Sequence, residues 1–209
     1  VSSEKGSNRW IIFIAYLIGL SIGVHLLNLL AIPAMVTLYY LRTRELNFKN
    51  LAKALGISIL ILGTIQAIII PGTVKLGFYF ELFFVNSAGM PFHSGLIIYI
   101  MILIATLVFG VYYTQKKGKV VWNTVILSLM VLLIGFSTYS VIMTRSIANP
   151  PMDENNPENA FTLLSYLNRE QYGNLPLVYG QYFNTPLDAR EPYSEGKPEY
   201  VQDKEEGKY

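Results

Sequence analysis

The densest group of side chains able to do chemistry runs from Arg145 to Glu158. It reads Arg145, Ser146, Ile147, Ala148, Asn149, Pro150, Pro151, Met152, Asp153, Glu154, Asn155, Asn156, Pro157, Glu158. One cation is followed by two consecutive carboxylates and several amides. The Pro-Pro pair fixes backbone φ and stops a helix. Such a loop can hold a divalent cation through oxygens, or orient a hydroxyl-rich substrate. The guanidinium of Arg145 matches a phosphate bidentately. The structural reading of the same residues is a capped turn, with Asp153 or Asn156 as the N-cap of the next helix and Arg145 as an interface anchor. A second polar group, His25 and Asn28, sits three residues apart inside an apolar run. Polar groups there are costly and often functional, although a helix-to-helix hydrogen bond serves as well. His93 stands alone beside Pro91. Two histidines and no cysteine make no zinc motif and leave no thiol nucleophile. No catalytic residue can be named from these types and spacings.

These residues must be positioned by membrane-embedded helices. Of 209 residues, 52% are hydrophobic and 14% charged, against about 25% charged in soluble domains. No Asp, Glu, Lys or Arg occurs in 10–41, 54–74, 82–115 or 120–144. Each run meets the ~20 residues that a spanning helix needs. A soluble fold, disorder and a nucleic-acid partner are excluded. The net charge of +2 averages a basic first part and an acidic last part.

The expected fold is an all-α membrane protein, a polytopic bundle of four to five spans in 10–144, followed by a mixed extracytoplasmic segment. Residues 1–9 flank the bundle. The 10–41 run is too long for a signal-peptide core. As one helix it would reach ~48 Å against ~30 Å of hydrocarbon. It is therefore one tilted, projecting helix or a hairpin of two short ones, and a bend or break near His25–Asn28 is expected, with those side chains inside the bundle or near its outer face. Further spans are expected over 54–70, ending at Pro71-Gly72, then 94–113 and 120–144, with a loop over 71–93. Arg42, Arg44, Lys49 and Lys53 make one loop basic, and Lys116, Lys117 and Lys119 another. The positive-inside rule puts both in the cytoplasm. Residues after Arg145 then face outward, the periplasm in a Gram-negative inner membrane. Residues 145–187 begin an extracytoplasmic segment, with a helix over 159–171 and a strand over 175–182. Residues 188–209 form a charged, mobile tail. The opening at Val1 suggests an internal piece of a longer protein.

Two stretches resemble a known family. One is Gly19 to Ala34, through His25, Asn28 and Pro33. The other is Ser137 to Glu158, continuing through Arg169 to Gly173 and Pro176 to Gly180. Together they resemble large Bacteroidetes inner-membrane proteins, formerly a domain of unknown function, grouped with GT-C glycosyltransferases and similar to protein mannosyltransferases. The resemblance covers about residues 10–183. It implies an integral-membrane enzyme that takes a sugar from a polyprenyl phosphate carrier and transfers it to an extracytoplasmic acceptor, proteins included. It also implies that the catalytic Asp lies in an earlier loop, outside these residues. His25, Asn28, Arg145, Asn149, Asp153 and Glu154 fall on motif positions and are expected substrate contacts. Membrane lipid is an expected partner, and no cofactor or metal is assigned. The alternative is a non-catalytic scaffold or transporter-like subunit. A transporter should carry internal repeats, and none of useful length is present.

Overall fold

The computed structural model describes residues 2–42, 44–154, 156–173, 180, 182–186 and 198–209. Among them the chain is helical, with no strand beyond one isolated bridge, Asp203 to Lys208. The expected strand over 175–182 falls almost wholly outside the described residues, as do 188–197.

Helix α1 (Ser2–Val24) ends at His25, whose backbone is extended. A 3₁₀ turn, Leu26–Leu30, leads into α2 (Ala31–Leu41). Of the bend or break expected here, the chain makes the break. Helix α3 (Phe48–Gly63) continues through a π turn, Thr64–Ile69, into α4 (Ile70–Leu82) and a second π turn, Phe83–Ser87. Next come α5 (Ser94–Lys116), α6 (Val120–Phe136), a 3₁₀ turn at Ser137–Tyr139 and α7 (Ser140–Ile147). Helix α8 (Ala160–Leu167) lies within the expected 159–171 helix, and a 3₁₀ turn, Glu170–Tyr172, follows it.

Three of these helical stretches are long and apolar enough to cross a membrane: Phe48–Ser87, Ser94–Lys116 and Val120–Ile147. Asn8–Val24 and Leu26–Leu41 are shorter apolar helices. Most of the apolar surface of the long helices faces outward, as lipid solvent requires. Ile59, Leu60 and Phe109 are each about two-thirds exposed.

Pro71-Gly72 does not end the second span, and 71–93 is not a loop. Proline removes a donor, and its ring presses on the carbonyl four residues back, here that of Ala67. The π turn just before it absorbs this misfit, with the Ile70 N–H donating to the Ile65 carbonyl instead of the i−4 group. The result is a helical rod of 40 residues, about 60 Å long at ~1.5 Å per residue.

Helix directions follow from the close contacts. Gly19 lies against Leu132 and Gly23 against Thr138, so α1 and α6 are parallel. Asn123 Nδ2 donates to the Val111 carbonyl and to Thr114 Oγ1, both at 3.0 Å, and Gly110 faces Ile126. Hence α5 and α6 are antiparallel. Gly77 faces Leu96 and Tyr99, while Gly95 abuts Phe80 and Glu81, so α4 and α5 are antiparallel too. Helices α2 and α3 pack together across a short loop, which makes them antiparallel. Thus α1 rises, α2 descends and the α3–α4 rod rises. The hairpin form of the 10–41 run is the one adopted. Arg9, the 42–47 loop and the 117–119 loop all gather at one end of the bundle.

Ile22, Leu29 and Ile32 form the core with Ile65, Ile70, Leu132, Phe136, Tyr139 and Leu163. These residues come from α1, α2, the rod, α6 and α8, so the His25 break is locked between elements distant in sequence.

Candidate functional site

The end opposite the basic loops carries the chemistry. Four devices build it. At the first break, His25 acts as N-cap: the Leu27 N–H donates to His25 Nδ1 at 3.1 Å. With Nδ1 used as the acceptor, Nε2 is the ring nitrogen left to donate. Asn28 Nδ2 donates to the Ser21 carbonyl at 3.2 Å, tying the 3₁₀ turn back to α1. The second device follows α7, where Asn149 takes a left-handed φ of 49° and the Pro-Pro pair bars further helix. Buried Ser146 donates to Asp153 Oδ2 at 2.6 Å and lies 3.0 Å from the Asn156 side chain. This holds Asp153 and Asn156 against α7. The third is the start of α8, a capping box in which the Phe161 and Thr162 N–H groups donate to Asn159 Oδ1 and the Asn159 N–H donates to Thr162 Oγ1. The cap is thus Asn159, not Asp153 or Asn156. The fourth is Arg169, held at a φ of 55° with its guanidinium 6.0 Å from the Tyr172 ring centre. Positive φ is uncommon for a residue with a Cβ and is enriched where function demands it.

Together these devices enclose a cleft of about 170 Å³ lined by His25, Glu154 and Arg169, by Tyr139, Tyr166 and Tyr172, and by apolar Val24, Leu26 and Leu167. Tyr172 donates to Glu154 Oε1 across 3.4 Å. An imidazole N–H, a carboxylate, a guanidinium and phenol hydroxyls share one small volume. Such a set can grip a phosphate or a sugar's hydroxyls from several sides.

Of the six residues nominated from sequence, the cleft takes two, His25 and Glu154. Asn28 and Asp153 are engaged in internal hydrogen bonds that shape its walls. Arg145 and Asn149 are exposed at the same end but do not line it. Arg169 was missed as a site residue, although it falls within the second motif. The signal that could have found it is the only cation in the 146–189 stretch, just after a capped amphipathic helix. Among the described residues no three His, Asp or Glu side chains converge to hold a metal ion. Asp153 and Glu154 serve different partners, Ser146 and Tyr172.

An apolar groove of about 500 Å³ lies alongside. It runs between α4, α5 and α6, with Gly77, Leu103 and Leu133 on its walls, and it meets α8 at Ala160 and Leu163. Phe136 lines the groove and Tyr139 lines the cleft, their ring centres 5.2 Å apart. Helix α8 borders both, with Leu163 toward the groove and Tyr166 and Leu167 toward the cleft.

A third polar centre was not foreseen. Glu81, only 2% exposed, accepts the backbone N–H of His93 at 2.5 Å and that of Leu96 at 2.9 Å, capping α5. His93 thereby acts through its backbone, at a φ of 69°. Residues 198–209, at the end of the segment read as a mobile tail, lie against this corner. Tyr209 donates its hydroxyl to Glu81 Oε1 at 3.1 Å.

No curated protein and no solved structure matches the chain. Residues 1–48, which take in α1, the His25 break and α2, are similar to the family described as Protein O-mannosyl-transferase TMEM260 N-terminal domain.

Proposed function

We propose that the chain is part of an integral-membrane glycosyltransferase that takes a sugar from a polyprenyl phosphate carrier and passes it to an acceptor outside the cytoplasm. The observation that carries this reading is the junction at α8 of an apolar groove and a polar cleft. An isoprenoid carrier has that same division, a long apolar chain and a charged head. Its chain fits the groove walled by Leu103, Leu133 and Phe136. Its phosphate is held by Arg169, with the Nε2–H of His25 as a second donor. Glu154 accepts from sugar hydroxyls. Arg145 and Asn149, exposed at the same end, serve the acceptor side, and Asn28 and Asp153 keep the cleft in shape. The match of residues 1–48 to a protein O-mannosyltransferase family supports the reaction class. On this reading the basic loops face the cytoplasm, the C-terminal segment faces the periplasm, and the proton-accepting carboxylate of the transfer comes from outside these residues.

The test is sugar transfer by the full-length protein from a polyprenyl-phosphate-linked donor in vesicles. Arg169→Ala is expected to lose transfer at least tenfold, because hydrogen bonds to a charged group are worth ~1.5–3 kcal/mol. Arg169→Lys restores only part, since an ammonium lacks the planar fork. Glu154→Gln separates charge from shape, and Arg145→Ala tests the outer position. Normal transfer in all four variants, or losses that merely follow lost thermal stability, would overturn the reading.

A further inference from the structure

The corner occupied by residues 198–209 is built like a peptide receptor. Asn86, on the second π turn, meets Tyr209 with both ends of its amide. The Tyr209 N–H donates to Asn86 Oδ1 at 2.9 Å, and Asn86 Nδ2 donates to the Tyr209 backbone oxygen at 3.1 Å. This pair of bonds reads main chain and ignores side-chain identity, as strand-adding receptors do. Side-chain choice comes from a separate contact. The Tyr209 ring packs against Phe92 and Phe161, with ring centres 5.1 and 4.5 Å away, and its hydroxyl reaches the buried Glu81 carboxylate. A phenylalanine would fill the same space and leave that carboxylate one donor short.

Among the described residues, the other ring contacts of the occupant are made by Tyr200. Tyr200 stacks on Phe161 and meets Phe78 edge-on, while 203–208 forms an exposed turn closed by one bridge. An isolated two-stranded turn is marginal in water. Two of the Glu81 partners, the His93 and Leu96 N–H groups, lie outside the occupant.

We infer that the surface formed by Glu81, Asn86, Phe92 and Phe161 is a tyrosine-selective docking site whose occupant is residues 198–209 of this chain, held reversibly. The inference is independent of the proposed glycosyl transfer.

The experiment uses the full chain in nanodiscs, with Tyr209→Ala to strip the cis occupant of its ring and hydroxyl contacts and leave it a weak competitor, and a fluorescent dodecamer of the 198–209 sequence. The dodecamer is expected to bind Tyr209→Ala saturably and more tightly than the unaltered chain. A dodecamer with phenylalanine in place of its last tyrosine should bind about tenfold more weakly, the loss of one hydrogen bond to a charged acceptor. Asn86→Ala, combined with Tyr209→Ala, should weaken both peptides alike. Thermal unfolding of each variant checks that the bundle is intact. No saturable binding to a folded Tyr209→Ala chain would overturn the inference. Equal affinity for the tyrosine and phenylalanine peptides would overturn the tyrosine selectivity.

Discussion

Gly135→Ala should pry α1 from α6. A Cβ built on Gly135 would lie 2.5 Å from the Leu20 nitrogen, 2.7 Å from the Gly19 carbonyl carbon and 2.8 Å from the Tyr16 oxygen. All three atoms are backbone, so no side chain can swing aside. Ordinary contact begins near 3.4 Å, and the helices must therefore part by about 0.9 Å. Overpacking costs ~1–3 kcal/mol, and a gap of ~0.5–1 Å forfeits a quarter to a half of each neighbouring dispersion contact. That places the strain near ~3 kcal/mol. Alanine returns up to ~1 kcal/mol of helix propensity, leaving a net loss of about 2 kcal/mol. Gly56 on α3 is the control: nothing lies within 4 Å of its Cβ position, so Gly56→Ala should be neutral or stabilise by up to ~1 kcal/mol. The assay is reversible unfolding in detergent micelles, followed by circular dichroism against denaturant. If the two substitutions change stability by the same amount and sign, the close parallel contact of α1 and α6 is wrong. The direction assigned to α1 would then be wrong too.

Three further outcomes are expected. Ser146→Ala should cost about 1–3 kcal/mol in thermal unfolding, because it strands the Asp153 carboxylate and the Asn156 amide beside a buried site; an unchanged midpoint would refute that role. Burial pushes the Tyr209 hydroxyl up to about 12, with Glu81 adding to the shift and the Gln202 hydrogen bond opposing it. A detached tyrosine ionises near 10, so docking of 198–209 is at full strength below pH 10 and weakens as pH rises toward 12. Anisotropy of a fluorophore on Lys204→Cys should fall over that window, and Tyr209→Phe should remove the dependence. Cysteine labelling with an impermeant thiol reagent on spheroplasts should mark Glu205→Cys and spare Lys117→Cys, and the reverse pattern would invert the membrane orientation.

What the sequence disclosed depended on how far apart the interacting residues are. Charge-free runs mark the spans because each side chain reports its own solvent. The reversal at His25 was legible as surplus length between two basic flanks. The Ala160–Leu167 helix was legible because the spacing of Phe161, Leu164 and Leu167 is local, whereas its cap, expected at Asp153 or Asn156, is Asn159. Pro71-Gly72 misled because its cost is relieved by a turn geometry that leaves no residue signature beforehand. The Glu81 corner was illegible for another reason: its partners, Tyr209 and the α5 N-terminus, stand 128 and about 12 positions away. Arg145 outshone Arg169 because it opens the dense polar stretch that ends at Glu158, whereas Arg169 comes to line the same cleft as Glu154 and His25 only once α8 has folded against the bundle.

The pairing of α1 with α6 also sets a timetable for synthesis. Gly19 and Leu132 are separated by more than a hundred residues, and chains grow at ~5–20 residues per second. Helix α1 therefore waits on the order of 5–20 seconds in the bilayer before its partner emerges. During that interval its glycine face lacks the α6 surface that covers it in the folded chain. The α1–α6 contact thus forms late, and the His25 cleft can close only after Tyr139 and α8 have left the ribosome.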